Sequence, residues 1–148
     1  METSDYVGHS TFRTYRQFDR YTCGAHSVRG VLRAFGRTTD WRGLKEDLRT
    51  TPERGTGPGA MLRVLRDKGL RAWSRNGLSV VDLRGFLVRG ALCIGTVHHL
   101  RHWVVFHGMS RAYVSVADSS GFLSTRRELT YREFGDWWDH NAIVVLPR

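Results

Sequence analysis

Apolar positions in the first half of the chain recur with the period of a helix. The pattern predicts a helix that begins at Ala25 and ends near Gly36, a short helix over residues 41–48, and a helix over residues 60–68 that stops at Gly69. Their apolar faces contain Val28, Val31, Leu32 and Phe35; Leu44 and Leu48; and Met61, Leu62, Val64 and Leu65. Residues 1–22 lack a clear period, and the segment TTPERGTGPG is predicted to be a loop.

In the second half the pattern changes to short β-branched and aromatic runs. LRAW predicts an extended segment, and LSVVDLRGFLVRG predicts a small helix capped by Ser79. ALCIGTV, HWVVFHGM and AYVSVAD predict consecutive antiparallel strands, REFGDWWDH a helical turn, and AIVVLP a final strand. Helices that precede strands, without βαβ alternation, indicate an α+β fold with N-terminal helices packed on a C-terminal antiparallel sheet.

The length and the hydropathy pattern limit the class of protein. A chain of 148 residues suits one domain, 1–148, with a core of its own. No apolar run has the length of a membrane span, and the opening METSDYVGHSTFR lacks the order of a secretory signal. We therefore expect a soluble cytoplasmic protein.

The charge is strongly basic, with a formal net value of +9. Such a charge suits an anionic partner, such as nucleic acid, a membrane surface or an acidic peptide. The basic residues are nearly all arginines, with Lys45 and Lys68 the only lysines, and they are spread along the chain. Because no nucleic-acid recognition motif accompanies them, we do not favour nucleic acid as the main partner.

The two cysteines, Cys23 and Cys93, lie in contexts too different for a disulfide framework. Cys93 lies within the apolar run ALCIG and is predicted to be a core residue. Cys23 precedes Gly24 at the start of the first predicted helix, where unpaired N–H groups and the helix dipole stabilise a thiolate. Cys23 is therefore a candidate nucleophile, although a free cysteine can also be a buried packing residue.

Three further residues complete a constellation with Cys23. Gln17 lies six positions before it, His102 opens the strand HWVVFHG, and Asp118 ends the strand AYVSVAD. This arrangement, over nearly the whole chain, resembles the papain-like cysteine peptidases that process bacteriocin and related secretion leaders at double-glycine sites. The resemblance implies a papain-like fold in which Cys23 is the thiolate nucleophile, and Gln17 and the Cys23 N–H are oxyanion donors. It also implies that His102 is the general base and acid, and that Asp118 fixes the tautomer of His102.

Two features differ from that family pattern. Asp118 is followed by Ser119 and Ser120, where the family commonly has a proline, and we expect a stand-alone domain because no transporter segment follows. The same Asp-Ser-Ser-Gly sequence is also good turn chemistry, so Asp118 can begin a turn as well.

The other histidines provide rival interpretations. A metal site built from His98, His99, His102 and Cys23 is the sharpest of them, but HHLRH lies at a loop–strand junction and lacks an adjacent glutamate. We therefore predict no metal or other cofactor. His107 lies an odd number of positions after His102 and should project to the opposite strand face. His26, one helical turn after Cys23, is interpreted as a packing or surface residue.

The leading hypothesis is a thiol hydrolase that cleaves an amide bond of a peptide or protein through a Cys23 acyl-enzyme. An acyltransferase or transglutaminase-like ligase uses the same acyl-enzyme with an amine in place of water, and the residue types do not separate the two. A third hypothesis is a module of this fold that binds a peptide without cutting it. The intact constellation favours an enzyme.

Overall fold

The computed structural model describes residues 5–121 and 124–148, and in this part of the chain five helices flank a seven-stranded sheet. The helices are α1 Cys23–Ala34, α2 Trp41–Asp47, α3 Pro58–Asp67, α4 Val80–Val88 and α5 Tyr131–Trp137. The strands are β1 Val7–Gly8, β2 Leu70–Arg75, β3 Leu92–Val97, β4 His102–Met109, β5 Tyr113–Ala117, β6 Arg126–Thr130 and β7 Ala142–Pro147.

The sheet is antiparallel, with the strand order β2-β7-β3-β4-β5-β6 and with β1 paired to β4. Val105 of β4 pairs with Ala117 of β5, and the two strands run in opposite directions. The first residue of β4 and the residue that follows β5 therefore lie at the same end of the sheet. This register determines where His102 and Asp118 meet.

The two faces of the sheet carry different helices. The first face packs against α1, α2 and α3, and its core contains Val28 and Leu32 of α1 together with Ile94 and Val105 of the sheet. The opposite face packs against α4 and α5, where Phe106 lies edge-on to Phe134 and Trp138. The predicted α+β fold is confirmed, with the addition that the last two helices cover the second face.

Two strands were not predicted from the sequence. In β6, RRELT, only Leu129 is buried, because the strand lies at the edge of the sheet and most of its residues face water. The strand β1 has only two residues, too few for a period of two to be visible. The first helix also begins at Cys23, two residues earlier than the apolar period indicates, so Cys23 itself is the first helical residue.

The buried His107 should make the fold sensitive to acid. It is fully buried, and burial lowers its pKa from 6.5 to about 4 despite the hydrogen bond with the His9 carbonyl. Because the folded pKa lies below the unfolded one, the stabilisation is complete above pH 6.5 and is lost as the pH falls toward 4. Over that interval this one residue should lower the free energy of unfolding by up to about 1.4 kcal/mol per pH unit.

Urea unfolding between pH 6.5 and 4.5 measures this effect. His107→Gln should reduce the slope of unfolding free energy against pH, because it removes the buried ring that gains its proton more readily after unfolding. Equal slopes in wild type and a folded His107→Gln variant would refute the assignment.

Candidate active site

The loop before α1 is ordered by the carboxylate of Asp19. Its Oδ1 accepts hydrogen bonds from the Tyr21 amide at 3.0 Å, the Thr22 amide at 2.9 Å and the Thr22 hydroxyl at 2.7 Å. Thr22 is the N-cap residue, and its side chain caps no helix amide. The loop thus delivers Cys23 to the first position of α1, where the sulfur faces the positive end of the helix.

Three segments converge on Cys23. A Cβ atom added to Gly24 would lie 2.6 Å from Met61, 2.8 Å from Thr56 and 3.0 Å from Trp103, so this position requires glycine. The Trp103 amide approaches the Cys23 sulfur at 3.5 Å, and the Trp103 indole N–H donates to the Thr56 carbonyl at 2.9 Å. Trp103 therefore links the sheet to the helix side of the site. This role was missed from the sequence, which shows Trp103 only as another strand residue.

His102 and Asp118 form the second part of the site. His102 Nε2 lies 2.6 Å from Asp118 Oδ1, and the side chains are 16% and 6% exposed, respectively. His102 directly precedes Trp103 in β4, whose amide lies 3.5 Å from the Cys23 sulfur, so the imidazole and the thiol lie in the same site. The structure thus brings together the three residues that the sequence singled out as nucleophile, base and orienting group.

The electrostatics of the pair favour an imidazolium beside a carboxylate. Burial acts to lower the pKa of His102, but hydrogen bonds with Asp118 and Cys23 and their negative charges outweigh it and raise the pKa to about 9. For Asp118, burial acts to raise the pKa, but hydrogen bonds from His102 and Ser120 outweigh it and lower the pKa to about 2. Asp118 is therefore ionised, and His102 is protonated at neutral pH.

Ser120 supports this pair from the turn after β5. Its amide and its hydroxyl both donate to Asp118 Oδ1, at 2.9 and 2.6 Å, and the hydroxyl lies 3.2 Å from His102 Nε2. The Gly121 amide closes the turn on the Asp118 carbonyl at 3.1 Å. The predicted turn at Asp118 is confirmed. The support from Ser120 was missed, although the Asp-Ser-Ser-Gly sequence carried the signal for it.

Gln17 is attached to the same turn. Its backbone N–H donates to the Ser119 carbonyl at 2.8 Å, and its side-chain Oε1 accepts from the Ser119 hydroxyl at 2.5 Å. Its Nε2 donates one hydrogen to the Asp19 carbonyl at 2.8 Å. These contacts fix which way the amide points, and one Nε2 hydrogen is not used by them. Ser119, which is 2% exposed, was also missed from the sequence.

The remaining candidates have packing roles. Cys93 is fully buried in β3, where burial raises the pKa of its thiol, so its predicted core position is confirmed. His26 stacks on Trp41 with ring centroids 4.3 Å apart, and burial lowers its pKa to about 4. His107 stacks on Phe12 at 5.3 Å.

The histidines of HHLRH do not converge on one point. His98 accepts a hydrogen bond from the Trp137 indole, and His102 bonds to Asp118 instead. Over residues 5–121 and 124–148, no group of three or more His, Cys, Asp or Glu side chains is arranged to hold a metal ion.

The raised pKa of His102 provides a test of its interaction with Cys23. An NMR titration should place the pKa of His102 near 9 in the wild type. Cys23→Ala should lower it, because the hydrogen bond and the negative charge of the sulfur are lost. An ordinary pKa near 6.5 for His102, or no change in Cys23→Ala, would show that the two side chains do not interact.

Comparisons with known proteins add a family and a fold. A family model described as the Peptidase C39 family matches residues 11–148. A solved structure of a double glycine motif protease from an AMS/PCAT transporter, in complex with its leader peptide, is 18% identical. It superposes with a TM-score of 0.80 over 97% of this chain and 98% of the other.

Two further structures have the same fold. The peptidase domain of Streptococcus ComA, a bi-functional ABC transporter, is 18% identical and has a TM-score of 0.79, with 93% of this chain and 99% of that domain covered. The N-terminal peptidase C39 like domain of a toxin secretion ATP-binding protein from Vibrio parahaemolyticus is 14% identical, with a TM-score of 0.63 and coverages of 86% and 98%. No curated protein matches the sequence.

The described residues contain no helix that is long and apolar enough to cross a membrane. The cytoplasmic location expected from the sequence stays a prediction.

Proposed function

Because the chain belongs to the peptidase C39 family, we propose that it is a thiol peptidase in which Cys23 attacks a peptide bond of a peptide or protein substrate. The family and the fold support a cysteine peptidase-like function. The observation that carries the assignment of residues is the position of His102. Its Nε2 lies 2.6 Å from Asp118 Oδ1, and the amide of the next residue, Trp103, lies 3.5 Å from the Cys23 sulfur.

The reaction follows from the charges of these groups. The Cys23 thiolate adds to the carbonyl carbon, and His102, protonated at neutral pH, gives its proton to the amine that leaves. The resulting thioester is then attacked by water, from which the neutral His102 takes a proton. Asp118 stays ionised throughout, holds the ring through Nε2 and stabilises its positive charge. Cys23 and the imidazolium are thereby regenerated after each turnover.

The oxyanion that forms during attack requires donors that do not titrate. Gln17 provides an amide whose Oε1 and one Nε2 hydrogen are already held by Ser119 and Asp19. We assign the second Nε2 hydrogen to the oxyanion, together with the Cys23 amide. The contacts with Ser119 and Asp19 pre-orient this donor, so it does not have to reorganise when charge develops.

A structural relative supports a proposal for the substrate class. The double glycine motif protease with the same fold is in complex with a leader peptide. We propose that this chain likewise cleaves after two glycines in a peptide precursor. We prefer hydrolysis to transfer because the family is one of peptidases, although both reactions begin with the same acyl-enzyme.

A fluorogenic peptide that ends in Gly-Gly joined to aminomethylcoumarin tests this proposal. Wild-type protein should release the fluorophore, and replacing both glycines by leucine should abolish the release. Added amines should not be incorporated into the product. Release from neither peptide, by a folded protein that binds the Gly-Gly peptide, would favour the peptide-binding module instead.

Gln17→Ala should lower turnover of the same peptide by about 100- to 1,000-fold, because one donor to the oxyanion is lost. The KM should change far less, since the hydrogen bond strengthens only as charge develops. Alkylation of Cys23 by iodoacetamide forms no oxyanion, so its rate should stay near the wild-type value and serves as the control. Near-normal turnover in a folded Gln17→Ala variant would leave the oxyanion to backbone donors alone.

A further inference from the structure

A cleft of about 610 Å³ opens beside Cys23. Cys23 and Trp103 lie in its wall. The rest of the wall comes from the loops before α1 and α3, from the ends of β2, β3 and β7, and from the turn between β3 and β4. The volume suits several residues of an extended peptide. Because the nucleophile lies in the wall, whatever fills this cleft also lies close to the scissile bond.

The wall of the cleft is cationic. Arg20, Arg54 and Arg101 enter it from three separate segments, and all three side chains belong to exposed residues. Within the described ranges, none of the three lies within ion-pair distance of a carboxylate. Glu53 is the single acidic residue of the wall, so the described lining has an excess of two positive charges.

Arg101 follows a turn that is firmly held. The carboxylate of Asp139 accepts hydrogen bonds from the His99 amide at 3.0 Å, the Leu100 amide at 2.7 Å and the Thr96 hydroxyl at 2.9 Å. The Arg101 amide bonds in turn to the Val97 carbonyl at 3.1 Å. The backbone of Arg101 is therefore fixed at the edge of the cleft, and only its side chain has to adapt to a substrate.

We propose that the cleft selects peptides that carry an aspartate or glutamate side chain within a few residues of the scissile bond. The proposal rests on the proposed peptidase function and specifies the substrate class of the same site. A concave wall with one sign of charge concentrates anions near it, and an arginine fork matches a carboxylate in geometry. Neutral polar groups of Ser74 and Asn76 in the same wall can bind the peptide backbone.

The charge of the cleft can be measured without any catalysis. Iodoacetate and iodoacetamide both alkylate Cys23, but only iodoacetate is an anion. The rate with iodoacetate divided by the rate with iodoacetamide therefore reports the electrostatic potential near the sulfur, and it rises as the cleft becomes more positive. His102 contributes equally to this ratio in every variant that keeps it. Arg54→Gln and Arg101→Gln should each lower the ratio by roughly two- to threefold, and high salt should reduce the difference.

Two variants serve as matched controls. Glu53→Gln should change the ratio in the opposite direction, because it removes the one negative charge of the wall. Arg84→Gln changes the net charge as much as the cleft variants do, but lies on α4, on the opposite face of the sheet, and should leave the ratio unchanged. An unchanged ratio in Arg54→Gln and Arg101→Gln, or an equal fall in Arg84→Gln, would overturn the proposal.

Peptide turnover then connects the charge to specificity. Of two Gly-Gly coumarin peptides that differ only by Glu or Gln four residues before the cleaved bond, the Glu peptide should have the higher kcat/KM. Arg101→Gln should reduce that preference. Cleavage of both peptides with equal kcat/KM would overturn the specificity while leaving the peptidase function intact. If neither peptide were cleaved, the peptidase function would fail, and the alkylation ratio would still decide the charge of the cleft.

Discussion

Replacing Cys23 with alanine should abolish release of the fluorophore from a Gly-Gly coumarin peptide, with a loss of about 10⁴-fold or more in kcat. Without the sulfur no acyl-enzyme can form, and the remaining donors can only stabilise direct attack by water. The fold should survive, because Cys23 lies at the edge of the core and alanine is a good helix former. Steady-state turnover together with circular dichroism checks both parts of this expectation.

Cys93→Ala is the matched control for this result. Cys93 is buried in β3 and belongs to the core on the opposite face of the sheet from α1, so its removal should affect stability more than activity. An equal loss of activity in both variants, with both folded, would contradict the assignment of Cys23.

His102→Ala should be nearly as damaging as Cys23→Ala, on the order of 10⁴-fold in kcat, because the base and the proton donor are lost together. The loss of kcat in Asp118→Asn should be smaller than the loss in His102→Ala by roughly tenfold or more. The Asp118→Asn substitution disturbs the orientation and the charge stabilisation of the ring but leaves the ring in place. Both variants should be compared in the fluorogenic assay at several pH values.

The pH profile of kcat/KM separates the role of His102 as proton donor from the role of Asp118, which raises the pKa of His102. In the wild type, kcat/KM should fall as the pH rises through about 9, because His102 then loses the proton that the leaving amine needs. Asp118→Asn should move this limb to lower pH, since the carboxylate no longer raises the pKa of His102. His107→Gln should leave the profile unchanged. If His107→Gln were inactive and His102→Ala active, the base would have been assigned to the wrong histidine.

Much of the fold could be predicted because its buried elements have strong periods. Helices α1 and α3 each bury a full apolar face, and the strands β3 to β5 and β7 are buried on both sides, so their sequences are nearly continuous apolar runs. Edge strand β6 was missed for the opposite reason, since a strand that faces water has no such run. The placement of α4 and α5 on the second face could not be predicted, because periodicity does not say which face a helix covers.

The residues of the candidate site likewise fall into those that the sequence indicated and those that it did not. Cys23 was identified as a candidate nucleophile from its position at a helix start, and the roles of His102 and Asp118 were implied by the resemblance to the bacteriocin-processing peptidases. Ser119, Ser120 and Trp103 were missed because they act through contacts between segments that lie far apart in sequence. The Trp103 amide, for example, approaches a sulfur 80 positions earlier, and such a contact depends on the register of β4 against α1.

The most direct test of the proposed mechanism is detection of the covalent intermediate on Cys23. A Gly-Gly peptide thioester should acylate the protein faster than water removes the acyl group, so that intact-mass spectrometry detects the peptide on the protein. Fragmentation should place the adduct on Cys23, and it should be absent from Cys23→Ala and present in Cys93→Ala. Water alone should discharge it, with release of the free peptide acid. Turnover without an adduct on Cys23, or an adduct on another side chain, would contradict the central claim.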